Sequence, residues 1–164
     1  MEAVAAESVC ALAADTKVET PEGGLAIRSI AGKAVAVFTR EPQGRVRFRM
    51  MQNVRKTAEQ QPIWKVTIEN GQSFRVAPEQ VVFKRGMVEC PAALLQVGDA
   101  LEPAFHYPVD YHFHDSKGAA LRSAASWRVQ SVGPDGTADL YTFGVNRTGS
   151  FFVSAGVLCK AEQP

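Results

Sequence analysis

The chain has 164 residues and a mass of 17.8 kDa, room for one domain with a single core and a small insert. Hydrophobic residues make up 46% and charged residues 21%, a composition that excludes a disordered chain. Lys+Arg 18 against Asp+Glu 17 leaves a net charge of +1, so no global field selects nucleic acid or an anionic membrane, and no apolar run reaches the roughly 18 residues of a membrane helix.

The start, Met1-Glu2-Ala3-Val4, lacks the basic and long apolar stretches of a signal peptide. Three cysteines, at 10, 90 and 159, are an odd number and too few for a disulfide framework, so a reducing, cytoplasmic setting is expected. Pro21-Glu22-Gly23-Gly24 marks the first turn. A short apolar turn follows from Ala26, ends at Gly32, and leads into a strand at Val35-Val37. Glu41-Pro42-Gln43-Gly44 marks the next turn, after which Val46, Phe48 and Met50 alternate with polar residues at the period of a half-buried strand.

Trp64-Val66-Ile68 and Phe74-Val76 alternate in the same way, and Asn70-Gly71 between them predicts a type I′ hairpin. Pro91 to Leu95 reads as a helical turn entered by proline. The stretch from Ala92 to Leu101 echoes Ala26 to Val35: an apolar turn, a glycine, then a strand. Alanine-rich Ser116 to Trp127 is expected to be helical, despite Gly118. Trp127-Val129 begins a further strand, Gly133-Pro134-Asp135-Gly136 predicts a turn, and Val157-Leu158-Cys159 closes the chain as an apolar strand. Short strands at this spacing predict an all-β, curled or closed antiparallel architecture with short helical turns.

Two clusters outside that frame carry possible chemistry. Arg45, Arg47 and Arg49 form one outward face of their strand, with Glu41 the only acid between Arg28 and Lys56. Such a stripe contacts phosphates or an acidic partner, or equally solvates an edge strand; no nucleic-acid motif accompanies it. His106, His112 and His114 crowd one stretch with Asp110 and Asp115, and His112 and His114 share a face at i, i+2. The cluster is either a metal site, zinc first for imidazole and carboxylate ligands, or a solvated amphipathic hairpin among Tyr107, Tyr111 and Phe113. Apart from zinc at that cluster, no cofactor is indicated.

Taken in order, several segments resemble the Hint superfamily, the self-processing module of hedgehog proteins, inteins and bacterial intein-like domains. Cys10-Ala11-Leu12-Ala13-Ala14-Asp15-Thr16-Lys17-Val18 resembles the family's opening, a nucleophile leading to Thr-x-Val. Thr20-Pro21-Glu22-Gly23 is similar to the "TPDG" turn, and Gly71 to Gln80 is similar to the strand that delivers Thr-x-x-His. Leu95 to Leu101 resembles the "LxVGDxL" segment, and Leu140 to Val145 with Phe151 to Leu158 resembles the closing strands that normally end "GVLVHN". The resemblance covers residues 10–161 and implies one Hint-like domain with pseudo-two-fold symmetry. Residues 1–9 and 162–164 are then flanks, and 102–127 is a variable insert.

The resemblance also implies a chemistry. A Cys or Ser at the first position attacks the preceding carbonyl, Thr-x-x-His assists proton transfer at that peptide, and a terminal Asn, helped by the His before it, cyclises to release the downstream segment. Counting from Thr16, the nucleophile position falls on Ala11, with Cys10 one residue early. The Thr and His of the motif fall on Ala77 and Gln80, and the terminal His and Asn on Lys160 and Ala161, with Glu162 following. The self-processing groups are therefore replaced, whether by natural loss or by design, which implies a non-catalytic scaffold, an interaction or linker module with no partner evident; its own flanking polypeptide is the partner only if it processes itself. Two alternatives stand beside it: thiol-dependent cleavage with Cys10 attacking the Val9 carbonyl, and a nucleic-acid or acidic-partner binder through Arg45, Arg47 and Arg49. If the chain ends meet as in the family, Cys10 and Cys159 are neighbours, a conceivable disulfide or redox pair.

Overall fold

The computed structural model describes residues 10–103, 112–114, 120–122 and 127–163. Strands dominate: β1 (Leu12–Ala13), β2 (Lys17–Thr20), β3 (Gly23–Ala26), β4 (Ala36–Arg40), β5 (Val46–Ile68), β6 (Ser73–Val76), β7 (Val81–Lys84) and β8 (Val88–Pro91) precede β9 (Ala100–Leu101), β10 (His112–His114), β11 (Ala120–Arg122), β12 (Trp127–Val145), β13 (Ser150–Phe152) and β14 (Leu158–Lys160). A single helical turn, α1 (Ile27–Ile30), and a 3-10 turn at Ala92–Leu94 complete the described elements. Nine of the strands run in the order β13-β14-β7-β9-β12-β1-β6-β5-β4 across one sheet, with β8 paired to β7. β2-β3 and β10-β11 are separate two-stranded hairpins.

The sheet curls around two long arms. β5 (23 residues) and β12 (19 residues) pair antiparallel from Ile68↔Val129 to Met51↔Val145, with several register shifts. Met51 and Val54 are three apart yet both face the main core, because Asn53 between them takes a left-handed φ of 56° and shifts the pleat by one residue. β1 inserts between β6 and β12, with Leu12 opposite both Val76 and Tyr141. Its alternation sends Leu12 into the main core with Ile68, Val76 and Phe143, while Ala11 and Ala13 enter a second cluster with Ile63, Ala77 and Leu140.

The turns at 21–24 and 41–44 form as the residues dictate. Thr20 pairs with Gly23 across the first, and Arg40 with Val46 across the second. The echo between residues 26–35 and 92–101 also forms, each half a helical turn, then a glycine at positive φ (Gly32 78°, Gly98 94°), then a strand.

Three expectations are corrected. Asn70-Gly71 does not make a type I′ turn: Gly71 alone has positive φ (89°), its N–H bonds to Ile68 O, and Ile68 N–H bonds to Gln72 O. That is a three-residue loop with glycine at the left-handed position. Gly133-Pro134-Asp135-Gly136 makes no reversal; it lies inside β12 as a bulge, Pro134 pairing with Trp64 and Thr137 with Pro62. A proline lacks the ladder N–H, and a bulge tolerates that loss. The expected helix over 116–127 is interrupted by strand β11, whose Ala120, Leu121 and Arg122 pair with β10, so cross-strand pairing overrides alanine's helix preference. Residues 115–119 and 123–126 lie outside the described residues.

Candidate functional site

The site is assembled where β1 meets the turn after β6 and the end of β14. Ala77 N–H donates to Ala11 O (2.9 Å), which carries the β1–β6 pairing one residue past the strands. The chain then turns within residues 77–80, with Gln80 N–H bonded to Ala77 O (3.0 Å). The 3-10 turn braces it from behind: Ala92 N–H donates to Gln80 O (2.8 Å) and Ala93 N–H to Pro78 O (3.1 Å). This bracing aims the Gln80 side chain into the interior, where it is fully buried.

There the amide joins both ends of the domain. Ala11 N–H donates to Gln80 Oε1 (2.8 Å), and Gln80 Nε2 donates to Val81 O (2.9 Å) and Lys160 O (2.9 Å). The partners fix the orientation of the amide, because one is an N–H donor and two are carbonyl acceptors. Beyond Lys160, Ala161 N–H bonds to Gly149 O (2.9 Å), Glu162 N–H to Phe143 O (3.1 Å), and Val145 N–H to Glu162 O (2.9 Å). The Phe143 and Phe151 rings, both buried, meet near edge-on at 4.7 Å and floor this region.

The positions singled out in the sequence therefore come together. Ala11, Ala77, Gln80 and Ala161 are all buried; Ala11 and Ala77 share the small apolar cluster, and Ala161 belongs to the main core. None of the three methyl groups accepts, donates or attacks, and the Gln80 amide does not titrate in the physiological range. Lys160 turns its ammonium outward to Glu89 (2.7 Å).

Cys10 is fully buried, and burial pushes its thiol up from 9.0 to about 11, against the smaller lowering influence of the neighbouring Thr142 hydroxyl and Phe143 backbone. Cys159 is also fully buried and raised well above the usual thiol range, first by burial and then by the nearby Cys10. None of the three cysteines is in a disulfide. Buried thiols held in the protonated form are poor nucleophiles.

The basic strand is partly neutralised within itself. Arg47 Nε lies 3.3 Å from Glu41 Oε1, and Arg49 hydrogen-bonds Glu41 Oε2, so one carboxylate serves two guanidinium groups. Arg45 is exposed at the hairpin end. His106 lies outside the described residues, as do the side chains of His112 and His114, which occupy alternate positions on β10 opposite Arg122 and Ala120. Among the described residues no group of three or more His, Cys, Asp or Glu side chains gathers to hold a metal, and no helix is long and apolar enough to cross a membrane. Two surface grooves, of about 390 Å³ beside Asp15 and Arg75 and about 230 Å³ beside Trp127 and Phe152, are not lined by Gln80, Ala11 or Ala161.

Sequence reasoning missed Thr142, Arg55 and the pairing of Arg55 with Glu162 (3.2 Å). No local pattern marks them, since Arg55 and Glu162 meet only when β5 and β12 pair around the chain's end.

No protein-family model and no curated protein sequence matches the chain. Solved structures do. A DnaB intein from Synechocystis sp. PCC 6803 matches with a TM-score of 0.70 at 12% identity, covering 93% of this chain and 98% of that one. A DnaX mini intein from Spirulina platensis gives 0.68 at 15%, covering 92% and 98%. A bacterial intein-like domain from Clostridium thermocellum gives 0.63 at 23%, again covering 92% and 98%. At these identities the likeness is one of backbone architecture, and the chain has the all-β Hint fold of inteins and intein-like domains.

Proposed function

We propose that this chain is a Hint-type autoprocessing domain that does not process itself and serves as a non-catalytic scaffold. The observation that carries the reading is the buried Gln80 amide, which spends its hydrogen bonds on Ala11, Val81 and Lys160 at the place where the resemblance puts a proton-transferring histidine. Replacement of the nucleophile by the Ala11 methyl and of the cyclising amide by the Ala161 methyl supports it from both sides. Self-cleavage through Cys10 is disfavoured by the thiol's burial: with the value pushed up to about 11, only about one molecule in 10,000 carries the thiolate at neutral pH.

The test is intact-mass spectrometry of the chain fused to folded partners at both ends, incubated with and without a strong thiol. The expected result is an unchanged mass over days. Cleavage beside residue 10 that stops on Cys10→Ala would overturn the proposal and identify an active module with a displaced nucleophile.

A further inference from the structure

A fully buried glutamine is uncommon, and this one is bonded on both sides of its amide to three separate stretches of backbone. Through it, residue 11 on the first strand is tied to residue 160 on the last. The next residues outward repeat the juxtaposition. The Cys10 thiol lies beside the Phe143 backbone, and Phe143 O accepts the N–H of Glu162. The residue before Ala11 and the residue after Ala161 thus meet at one position of β12, and Arg55 ion-pairs with Glu162 beside them.

We infer that Gln80 is a clasp, a positioning residue that locks the first strand to the last and so keeps Cys10 and Glu162 side by side. The inference rests on the scaffold reading and names the residue that holds the scaffold's two end strands together. A neutral imidazole has one donor and one acceptor, too few for an N–H and two carbonyls together, whereas the primary amide supplies both donors and the acceptor. The amide also keeps the same charge across the physiological range, so the hold does not vary with pH.

Hydrogen–deuterium exchange on the whole chain tests the clasp, with Gln80→Leu and Gln80→Glu compared to the unaltered protein. In Gln80→Leu the amides of residues 11–13 and 158–162 exchange about a hundredfold faster, as two ends opening together, while the β2–β3 and β4–β5 hairpins keep their protection. Gln80→Glu separates bonding from mere packing. Its carboxylate accepts from Ala11 but has no hydrogen for the two carbonyls, and burial favours the protonated form, which regains one donor.

After correction for intrinsic rates, the ends of Gln80→Glu therefore open more at pH 8 than at pH 5, and those of the unaltered protein show no such difference. Acceleration spread evenly over all strands, unchanged ends in Gln80→Leu, or a flat pH response in Gln80→Glu would each overturn the clasp. Should Gln80→Leu fail to fold, Gln80→Glu at the two pH values carries the test. Failure of the scaffold reading registers separately, as a mass change in the two-partner fusion.

Discussion

The ion pair between Arg40 and Glu102 gives the sharpest stability prediction. Arg40 Nη1 lies 2.7 Å from Glu102 Oε1, and the two side chains are only 9% and 6% exposed. Glu102 Oε2 accepts Gly86 N–H (2.9 Å) and Met87 N–H (3.3 Å), while Arg40 also donates to Pro103 O and lies 5.7 Å above the Phe152 ring. Glu102→Ala strips the anion from a buried guanidinium, which costs about 3–5 kcal/mol when one member of a buried pair is removed. The two N–H groups add little, because Gly86 and Met87 sit on an exposed turn where water replaces the lost acceptor.

The expected loss is therefore about 4 kcal/mol, a large share of the roughly 5–15 kcal/mol that holds a typical domain together. Urea denaturation followed by the fluorescence of Trp64 and Trp127 measures it, with an unchanged m-value as the sign that only stability moved. The double variant Arg40→Met/Glu102→Leu removes both charges and is expected to lose less than Glu102→Ala alone, since no buried charge is left without its partner. A loss below about 1 kcal/mol for Glu102→Ala, or a double variant weaker than the single, would refute the reasoning.

Three further expectations come from the core and the surface. The Cys10 thiol, raised from 9.0 to about 11 in the folded protein, keeps its proton where the unfolded chain has lost it; its stabilising contribution is full below pH 9 and is lost as pH rises towards 11. Stability in that window falls by about 1.4 kcal/mol per pH unit for this thiol, and Cys10→Val makes the urea midpoint fall less steeply; a midpoint rising with pH would contradict the assignment. Gly156 has a φ of 89°, and an added Cβ would stand 2.8 Å from Trp127 Nε1. Gly156→Ala therefore loses about 1–3 kcal/mol and shifts tryptophan emission, both readable in one thermal melt. Arg55→Gln, by contrast, breaks a half-exposed pair and lowers stability by less than about 1 kcal/mol, an effect that shrinks in high salt as read by urea midpoints.

The strands were legible wherever one face is buried and the other wet, as at Trp64-Val66-Ile68 and Phe74-Val76, because the period of two survives in the residues themselves. What failed were features decided by partners elsewhere. Gly133 to Gly136 reads as a turn in isolation, but the opposite arm, through Trp64 and Pro62, keeps the chain extended and absorbs the surplus as a bulge. Alanine-rich 116–127 reads as helix until β10 supplies the pairing that makes 120–122 a strand.

At the candidate site, the positions Ala11, Ala77, Gln80, Lys160 and Ala161 could be counted off from Thr16 and the closing strand, and the structure brings them together. What Gln80 does there could not be counted off. An amide's role is set by what surrounds it, and its three backbone partners come from three separate strands or strand ends.

The placement of β1 has a consequence in time. Leu12 is synthesised long before its partner Tyr141, which is made 129 residues later. At a synthesis rate of about 5–20 residues per second, β1 waits on the order of 10 s for its second neighbour. During that interval the 23-residue β5 also lacks β12 and presents an open edge for nearly its whole length. A nascent chain stalled before Trp127 should therefore be far more prone to associate with other copies than one that has made β12, which covers that edge.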